Sequence, residues 1–335
     1  MKKLLFLSLF AFPSVLIAQK SGYQLSGAFP IKSNGGWDYI TVYKNNLYVS
    51  HGTQVNVLNK TSGDSVGIIA NTTGVHGIAF DPTQNIGFTS NGKLNNVFAF
   101  NITTNAIIAT ISTGENPDAI MYDPFTKTII TCNGRGKNLT FIDPVSFKVV
   151  GEVAVGGKPE TAVSDEAGNI YVNVEDKNEI VKLSAVSFKV LAHWSIKPVE
   201  EPTGLAIDIK TKRLFAAGEK KMVVVNYETG KIITTIPIGE GCDGLVFDNQ
   251  QKLIFTSNGE GTVSIIKEIS ANQYQLIENI ATAKSARTLA IDESTGTVYL
   301  PAANFEPQPA GATENKRTPI VPGTFKILVV SKNKL

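Results

Sequence analysis

The chain has 335 residues, of which 42% are hydrophobic and 18% are charged, a balance that supports a folded globular protein with a sizeable core. Lys and Arg together number 31, against 29 Asp and Glu. Because Lys2 and Lys3 belong to a predicted leader, the rest of the chain is close to neutral, which argues against a protein that binds nucleic acid through an overall positive charge.

The first element is a predicted secretory signal peptide. Two lysines precede the apolar run Leu4–Ile17, and Ala18 stands before a polar stretch. We therefore expect cleavage after Ala18, a mature domain at residues 19–335, and a periplasmic or secreted location. An uncleaved membrane anchor is the alternative, but the run is short for a span of ~20 residues. No second long apolar run follows, so we expect no membrane span after the leader is removed.

A repeat of 40 to 44 residues then occupies most of the chain. Each unit opens with a short apolar segment that ends in aspartate, as in Gly77-Ile78-Ala79-Phe80-Asp81. The repeated aspartates are Asp81, Asp123, Asp165, Asp208, Asp248 and Asp292. The segment Asp38–Val42 fits the same register one unit earlier, without the final aspartate, and this brings the number of units to seven.

Each unit contains four short predicted strands separated by turns. In the unit that opens at Gly77, a second strand is predicted at Ile86–Ser90 and a third at Asn96–Phe100, each followed by a Gly- or Asn-rich turn. Four strands per unit predict an all-β, seven-bladed β-propeller with four-stranded antiparallel blades. The strand Tyr23–Pro30 precedes the first unit, and we expect it to close the last blade beside Phe325–Ser331.

These segments resemble the YVTN-repeat β-propeller family of exported and surface proteins. The resemblance is carried by the strands that end in Asp and by second strands such as Leu47-Tyr48-Val49-Ser50 and Leu253-Ile254-Phe255-Thr256-Ser257-Asn258. It covers residues 23–331 and implies the fold. For function it implies only a range of roles, which includes DNA binding, surface layers and carrier domains of periplasmic enzymes.

The two cysteines are predicted to be free thiols. The repeat register places Cys132 in the third blade and Cys242 in the sixth, on opposite sides of the ring. A disulfide needs Cα atoms within ~7 Å of each other, which this placement does not allow. We expect Cys132 to be a small residue of the core.

The candidate binding site is the mouth of the central channel. The loop that enters strand one and the loop that joins strands two and three lie on the same face of a propeller, which we call the top face. Residues before strand one ring the channel there, and loops two–three add others. The candidate ligand-binding residues are Trp37, Asp38, His51, His76, Asp118, Arg135, Glu160, Asp243 and Arg287, with Thr203 in the same ring. The alternative is that any water-filled channel mouth carries such polar residues.

The seventh unit contains a long insertion, Pro301–Thr324, in place of its loop two–three. A loop of this length in a compact domain is usually functional or disordered. Two interpretations stay open: a lid over the channel mouth, or a mobile insertion with no part in the site.

The leading hypothesis is an exported, non-enzymatic propeller that binds a small molecule or an exported protein partner at its top face, with no catalytic or metal-ligating residues assigned. A calcium-dependent lactonase-like hydrolase is the first alternative, and calcium is its candidate ion. The segment Cys242-Asp243-Gly244-Leu245 resembles the Asp-Gly segment of such propellers, but their opening Glu has no match near Trp37. The three histidines, His51, His76 and His193, form no close pair on one strand, which argues against zinc.

A nucleic-acid-binding propeller is the second alternative. It would use basic residues of the top face, with Trp37 or Phe305 for base stacking. The basic residues are Lys93, Arg135, Lys137, Lys220 and Arg287. Acidic residues of the same face, such as Asp118 and Glu160, would repel phosphates, so this hypothesis ranks below the others.

Overall fold

The computed structural model describes residues 20–307 and 318–333. The predicted signal peptide, residues 1–18, and its cleavage site lie outside these described residues, as does 308–317 in the middle of the blade-seven insertion. Within the described ranges, no helix combines the length and the apolar character that crossing a bilayer requires.

Seven four-stranded antiparallel sheets confirm the predicted propeller. Blade one contains β2 (Trp37–Tyr43), β3 (Asn46–His51), β4 (Gln54–Asn59) and β5 (Ser65–Ile69). Blade two contains β6 (Val75–Asp81), β7 (Ile86–Asn91), β8 (Asn96–Asn101) and β9 (Ile107–Ser112). Blade three contains β10 (Pro117–Asp123), β11 (Thr128–Asn133), β12 (Asn138–Asp143) and β13 (Lys148–Ala154).

The next three blades repeat this order. Blade four contains β14 (Pro159–Ser164), β15 (Asn169–Val174), β16 (Glu179–Ser184) and β17 (Lys189–Ser195). Blade five contains β18 (Gly204–Asp208), β19 (Arg213–Gly218), β20 (Lys221–Asn226) and β21 (Ile232–Pro237). Blade six contains β22 (Cys242–Asp248), β23 (Leu253–Asn258), β24 (Thr262–Ser270) and β25 (Gln273–Ala281). Single 3₁₀ turns at Gly92–Leu94 and Glu175–Lys177 lie in the loops two–three of blades two and four.

Blade seven joins the two ends of the chain. It contains β26 (Ala290–Asp292), β27 (Thr297–Ala302), β28 (Lys326–Lys332) and, as its outer strand, β1 (Tyr23–Pro30). The register runs from Tyr23 opposite Lys332 to Pro30 opposite Lys326. The predicted closure by the N-terminal strand is therefore confirmed, and it leaves no sheet of the ring without a neighbour.

The repeated aspartates are turn residues. The Asp81 carboxylate accepts hydrogen bonds from the backbone N–H of Thr83 at 2.8 Å and from its hydroxyl at 2.7 Å. Asp208 and Asp248 accept the same backbone bond from residues two positions later, each at 2.9 Å. These bonds satisfy the N–H groups of the turn between strands one and two, so the aspartate period reflects folding and not chemistry at a site.

The core lies between adjacent blades, whose sheets pack face to face. Tyr43 of blade one stacks on Phe80 of blade two, with ring centroids 4.0 Å apart, and Phe215 of blade five meets Phe247 of blade six at 5.0 Å. Cys132 and Cys242 are buried free thiols in blades three and six, as predicted. Burial in the apolar interior raises the pKa of both thiols, which makes them poor nucleophiles.

Candidate functional site

A β-bulge at the start of the innermost strand carries the channel-mouth residue in five blades. In blade one the register shifts between Trp37 and Ile40, and Asp38 lies inside the shift. His76, Asp118, Glu160 and Asp243 lie inside the corresponding shifts of blades two, three, four and six. A bulge turns a side chain away from the regular alternation of the strand. Blade five has no such shift, and its ring position holds Thr203.

Side chains of the second strand stabilise these bulges. The Ser50 hydroxyl accepts a hydrogen bond from the backbone N–H of Asp38 at 3.0 Å, and the Ser90 hydroxyl accepts one from Gly77 at 2.8 Å. The Ser90 hydroxyl also contacts the backbone carbonyl of Asp118 in the next blade. These hydrogen bonds hold the bulges of Asp38 and His76 within their own blades, and the backbone of Asp118 across blades.

Among the channel-mouth residues, Asp38, His76 and Asp118 form a close group of three. The Nδ1 atom of His76 lies 2.5 Å from an Asp38 carboxylate oxygen and 3.6 Å from one of Asp118. Burial, reinforced by the Asp38 charge, raises the pKa of Asp118 from 3.8 to about 7. Burial lowers the His76 pKa, but the two carboxylates outweigh it, and the net pKa is raised. Asp118 therefore changes its charge near neutral pH, beside an imidazole whose pKa is raised.

The same trio offers the ring's best arrangement for a metal ion. One ligand atom from each residue lies within 4.8 Å of the other two. Two carboxylates and an imidazole suit divalent cations, which take oxygen and nitrogen ligands. Blades one, two and three contribute one ligand each, so the arrangement depends on the assembled propeller.

The two other acidic ring residues already have cationic partners. Lys158 Nζ lies 2.5 Å from Glu160 and also contacts Glu175, the first residue of a 3₁₀ turn on the same face. Burial and the neighbouring Asp118 charge raise the pKa of Glu160, while Lys158 acts in the opposite direction. Arg287 forms an ion pair with Asp243 across blades six and seven. Burial raises the pKa of Asp243 despite that arginine.

The channel below the ring is narrow and mostly apolar. A cavity of about 140 Å³ lies there, lined by Tyr39, Met121, Cys132 and neighbouring strand-one residues. Burial raises the pKa of the Tyr39 phenol, and the charges of Asp118 and Glu160 add to the effect. The ring is therefore a polar layer above an apolar channel, and a ligand would reach it from the top face.

Three of the predicted site residues lie away from the ring. Trp37 is buried and packs on Phe305 and Phe325, with ring centroids 5.9 and 5.2 Å apart. His51 is buried inside the top of blade one, where it stacks on Phe325, donates a hydrogen bond from Nε2 to the Gly35 carbonyl and forms another through Nδ1 with the Ser33 hydroxyl. Arg135 extends into solvent, with 74% of its side chain exposed, 4.0 Å from Glu115.

Several asparagines of the loops two–three are also structural. Asn91, Asn133 and Asn258 are fully buried. Asn133 accepts a hydrogen bond from Thr131 at 2.9 Å and donates one to Thr140 at 2.8 Å. These side chains brace the end of strand two and do not reach the channel.

Sequence reasoning missed Lys158 and Glu175, the partners of Glu160. Lys158 is two residues before Glu160, just before strand one of blade four, so its position in the repeat register was a usable signal. Glu175 follows strand two of the same blade and therefore lies on the same face. The ion pairs themselves depend on side-chain conformations that the sequence does not contain.

The described flanks of the blade-seven insertion form a short two-stranded extension. Phe305 pairs with Ile320 in an antiparallel bridge, and Glu306 donates its backbone N–H to the Pro319 carbonyl at 2.9 Å. Between this extension and the ring lies a cavity of about 550 Å³. Its described walls are Gly36, Trp37, Gly259, Ser285, Arg287, Phe305, Thr318, Pro319 and Ile320.

Comparisons with known proteins identify the fold and nothing finer. The sequence matches no protein-family description and no curated protein. A chain of Kuenenia stuttgartiensis hydrazine synthase is 13% identical, with 81% of this chain and 94% of that chain covered and a TM-score of 0.72. A chain from the crystal structure of the mitotic checkpoint complex is 12% identical, with 99% of each chain covered and a TM-score of 0.74. Because proteins with such different names share this architecture, the function must be argued from the site.

Proposed function

We propose that this chain is an exported, non-enzymatic β-propeller that binds a small cationic ligand at the channel mouth of its top face. The observation that carries the proposal is the bulge-positioned ring, where Asp38, Asp118, Glu160 and Asp243 converge from four blades. The resemblance to exported YVTN-repeat propellers supports the location in this proposal.

The charges of the ring favour a cation. Lys158 and Arg287 already pair with Glu160 and Asp243. The trio of Asp38, His76 and Asp118 remains, and it carries two carboxyl groups for one imidazole. Crowded carboxylates raise each other's pKa because the ionised forms repel, and a bound cation would relieve that repulsion. The raised pKa of Asp118 therefore supports a site whose ligand competes with a proton.

Two sources of positive charge fit the trio: a divalent metal ion and an organic ammonium group. A metal ion would displace the proton between His76 and Asp38 and would then be held by the two carboxylates and the imidazole nitrogen. An ammonium group would donate hydrogen bonds to the same carboxylates.

Thermal melts of residues 19–335 would test the proposal with calcium, manganese, zinc or a primary alkylamine, each against a chelated blank. A ligand at ~100 times its dissociation constant adds ~2.7 kcal/mol to the free energy of unfolding, a shift of several degrees. We expect at least one cation to raise the midpoint, and the double variant Asp38→Asn, Asp118→Asn to abolish the rise.

The matched control is Asp64→Asn, Glu228→Gln, which removes two exposed acidic charges from bottom-face turns. This control should keep the response of the parent protein. If neither metals nor the amine shift the melt, or if the ring variant responds like the control, the cation site is wrong. The search should then turn to the alternative occupant of the top face, an exported protein partner.

The alternative of a calcium-dependent hydrolase requires Asp243 as a free ligand. The Arg287 guanidinium occupies that carboxylate, and this ion pair favours binding over metal-dependent hydrolysis at this position. Turnover on a panel of lactones that disappears in Asp243→Ala would overturn the non-enzymatic assignment.

A further inference from the structure

The cavity under the blade-seven extension is separate from the cation-binding trio and has a different chemistry. Trp37, Phe305, Pro319 and Ile320 supply apolar wall, and its volume of about 550 Å³ lies in the range of small-molecule sites. The Trp37 and Phe305 rings are 5.9 Å apart, so an aromatic corner is already formed.

Hydrogen-bond donors without acceptors belong to the residues that line this cavity. Trp37 has 8% of its surface exposed, and its indole Nε1 is buried with no partner among the described residues. The Ser285 hydroxyl is likewise buried and lacks a described partner. Neither atom reaches the cavity surface, so the side-chain donors that a ligand in this cavity would meet are those of Arg287.

Arg287 adds positive charge to the same wall. A guanidinium carries five N–H donors. Within the described part of the chain, only its Nη1 atom has an acceptor, the carboxylate of Asp243. The remaining donors suit a planar, charged acceptor with two oxygens.

The described lining residues include no acidic side chain. The two carboxylates whose charges act on Arg287 are both paired: Asp243 with Arg287 itself, and Asp38 with His76 at 2.5 Å. A carboxylate that enters the cavity would therefore meet donors and apolar surface, not a free negative charge.

We propose that this cavity binds a small organic carboxylate with an apolar body. The apolar body lies in the corner of Trp37, Phe305 and Ile320, and the carboxylate accepts hydrogen bonds from Arg287. This assignment does not depend on the cation site at the trio.

The sequence supplies a local optical probe, because it contains only two tryptophans. Trp194 lies on the outer strand of blade four, stacked on Tyr171, and Trp194→Phe leaves Trp37 as the single tryptophan. Fluorescence titration of the full chain in this background reports on the cavity itself. The ligands are phenylbutanoate, the neutral phenylbutanamide and the cationic phenylbutylamine, which share one body and differ in charge.

We expect a saturable change in Trp37 emission with phenylbutanoate. The neutral amide should bind about tenfold more weakly or worse, because it loses a hydrogen bond to a charged group. The amine should not bind there. Equal affinity for acid and amide, or no saturable change with any of the three, would overturn the proposal.

Two variants test the polar contact. Arg287→Gln should weaken phenylbutanoate about tenfold while it leaves the amide unchanged. Its control is Lys284→Gln, which removes the same charge from an exposed neighbour outside the cavity wall. Unchanged phenylbutanoate binding in Arg287→Gln would overturn the proposed polar contact.

Discussion

Trp37 and Asp38 are adjacent in the sequence, but the bulge between Trp37 and Ile40 sends one side chain into the core and the other to the channel mouth. Trp37 is buried among aromatic rings of the blade-seven extension, whereas Asp38 reaches His76 across the channel mouth. The sequence places both at the mouth, because it gives the position along the strand and not the direction of the side chain. The same limit applies to His51, which is buried although its loop belongs to the top face.

At this scale the ring makes a pH prediction. The raised pKa of Asp118, about 7 against 3.8, means that the folded protein binds a proton there that the unfolded chain does not. Asp118 therefore stabilises the folded protein at low pH, and this contribution is lost as the pH rises from 3.8 to about 7. The raised pKa of His76 acts with the same sign, because its stabilising contribution is also lost as pH rises through the folded value.

Asp118→Asn should therefore flatten the pH profile in that window and raise stability at pH 8, by on the order of 2 kcal/mol. Urea denaturation at several pH values between 4 and 8 measures the effect. Profiles of variant and parent that run parallel over this range would show that Asp118 ionises in the folded protein as it does in the unfolded chain.

At the scale of the element, strand β1 completes blade seven by pairing with β28 and also contacts blade six through Tyr23. Tyr23 is buried, packs edge-on against Phe255 of blade six at 5.1 Å, and its hydroxyl accepts a hydrogen bond from Gln251 at 2.9 Å. The strand therefore connects blade seven to blade six as well as completing blade seven. Leu25, two residues along the same strand, is 43% exposed.

We expect Tyr23→Ala to lower the free energy of unfolding by about 3–5 kcal/mol, because it removes a large buried ring. Leu25→Ala, the matched control on the same strand, should change it by less than about 0.5 kcal/mol. Equilibrium urea denaturation compares the two. Similar losses in both variants would mean that β1 acts through its backbone pairing and that Tyr23 has no special role.

The elements were largely predictable because a propeller repeats its signals. Strand-ending aspartates recur in six of the seven units, and turns and alternating apolar residues recur in all of them. One ambiguous strand is therefore corrected by the others, and β1 is recognised as the missing strand of blade seven. The ion pairs were not predictable. Asp243 and Arg287 are 44 residues apart and meet only because neighbouring blades set their distance, and Lys158 reaches Glu160 through its side-chain conformation.

At the scale of the whole molecule, the two buried thiols can report how the ring opens. Cys132 and Cys242 lie in blades three and six, and neither reaches solvent in the closed ring. If closure makes the seven blades one cooperative unit, both thiols should be alkylated at the same rate in moderate urea, since both need the same opening. Mass spectrometry of the two cysteine peptides measures each rate. Rates that differ strongly would instead show blades that open separately.

The closure of blade seven also sets the timing of folding during synthesis. Ser26 of β1 and its partner Val329 of β28 are 303 residues apart, so the first of the described strands pairs with the last. At ~5–20 residues per second, β28 is synthesised roughly 15 to 60 s after β1. During that interval β1 has no strand partner and the apolar faces that blade seven later covers stay exposed, so the incomplete chain is open to aggregation.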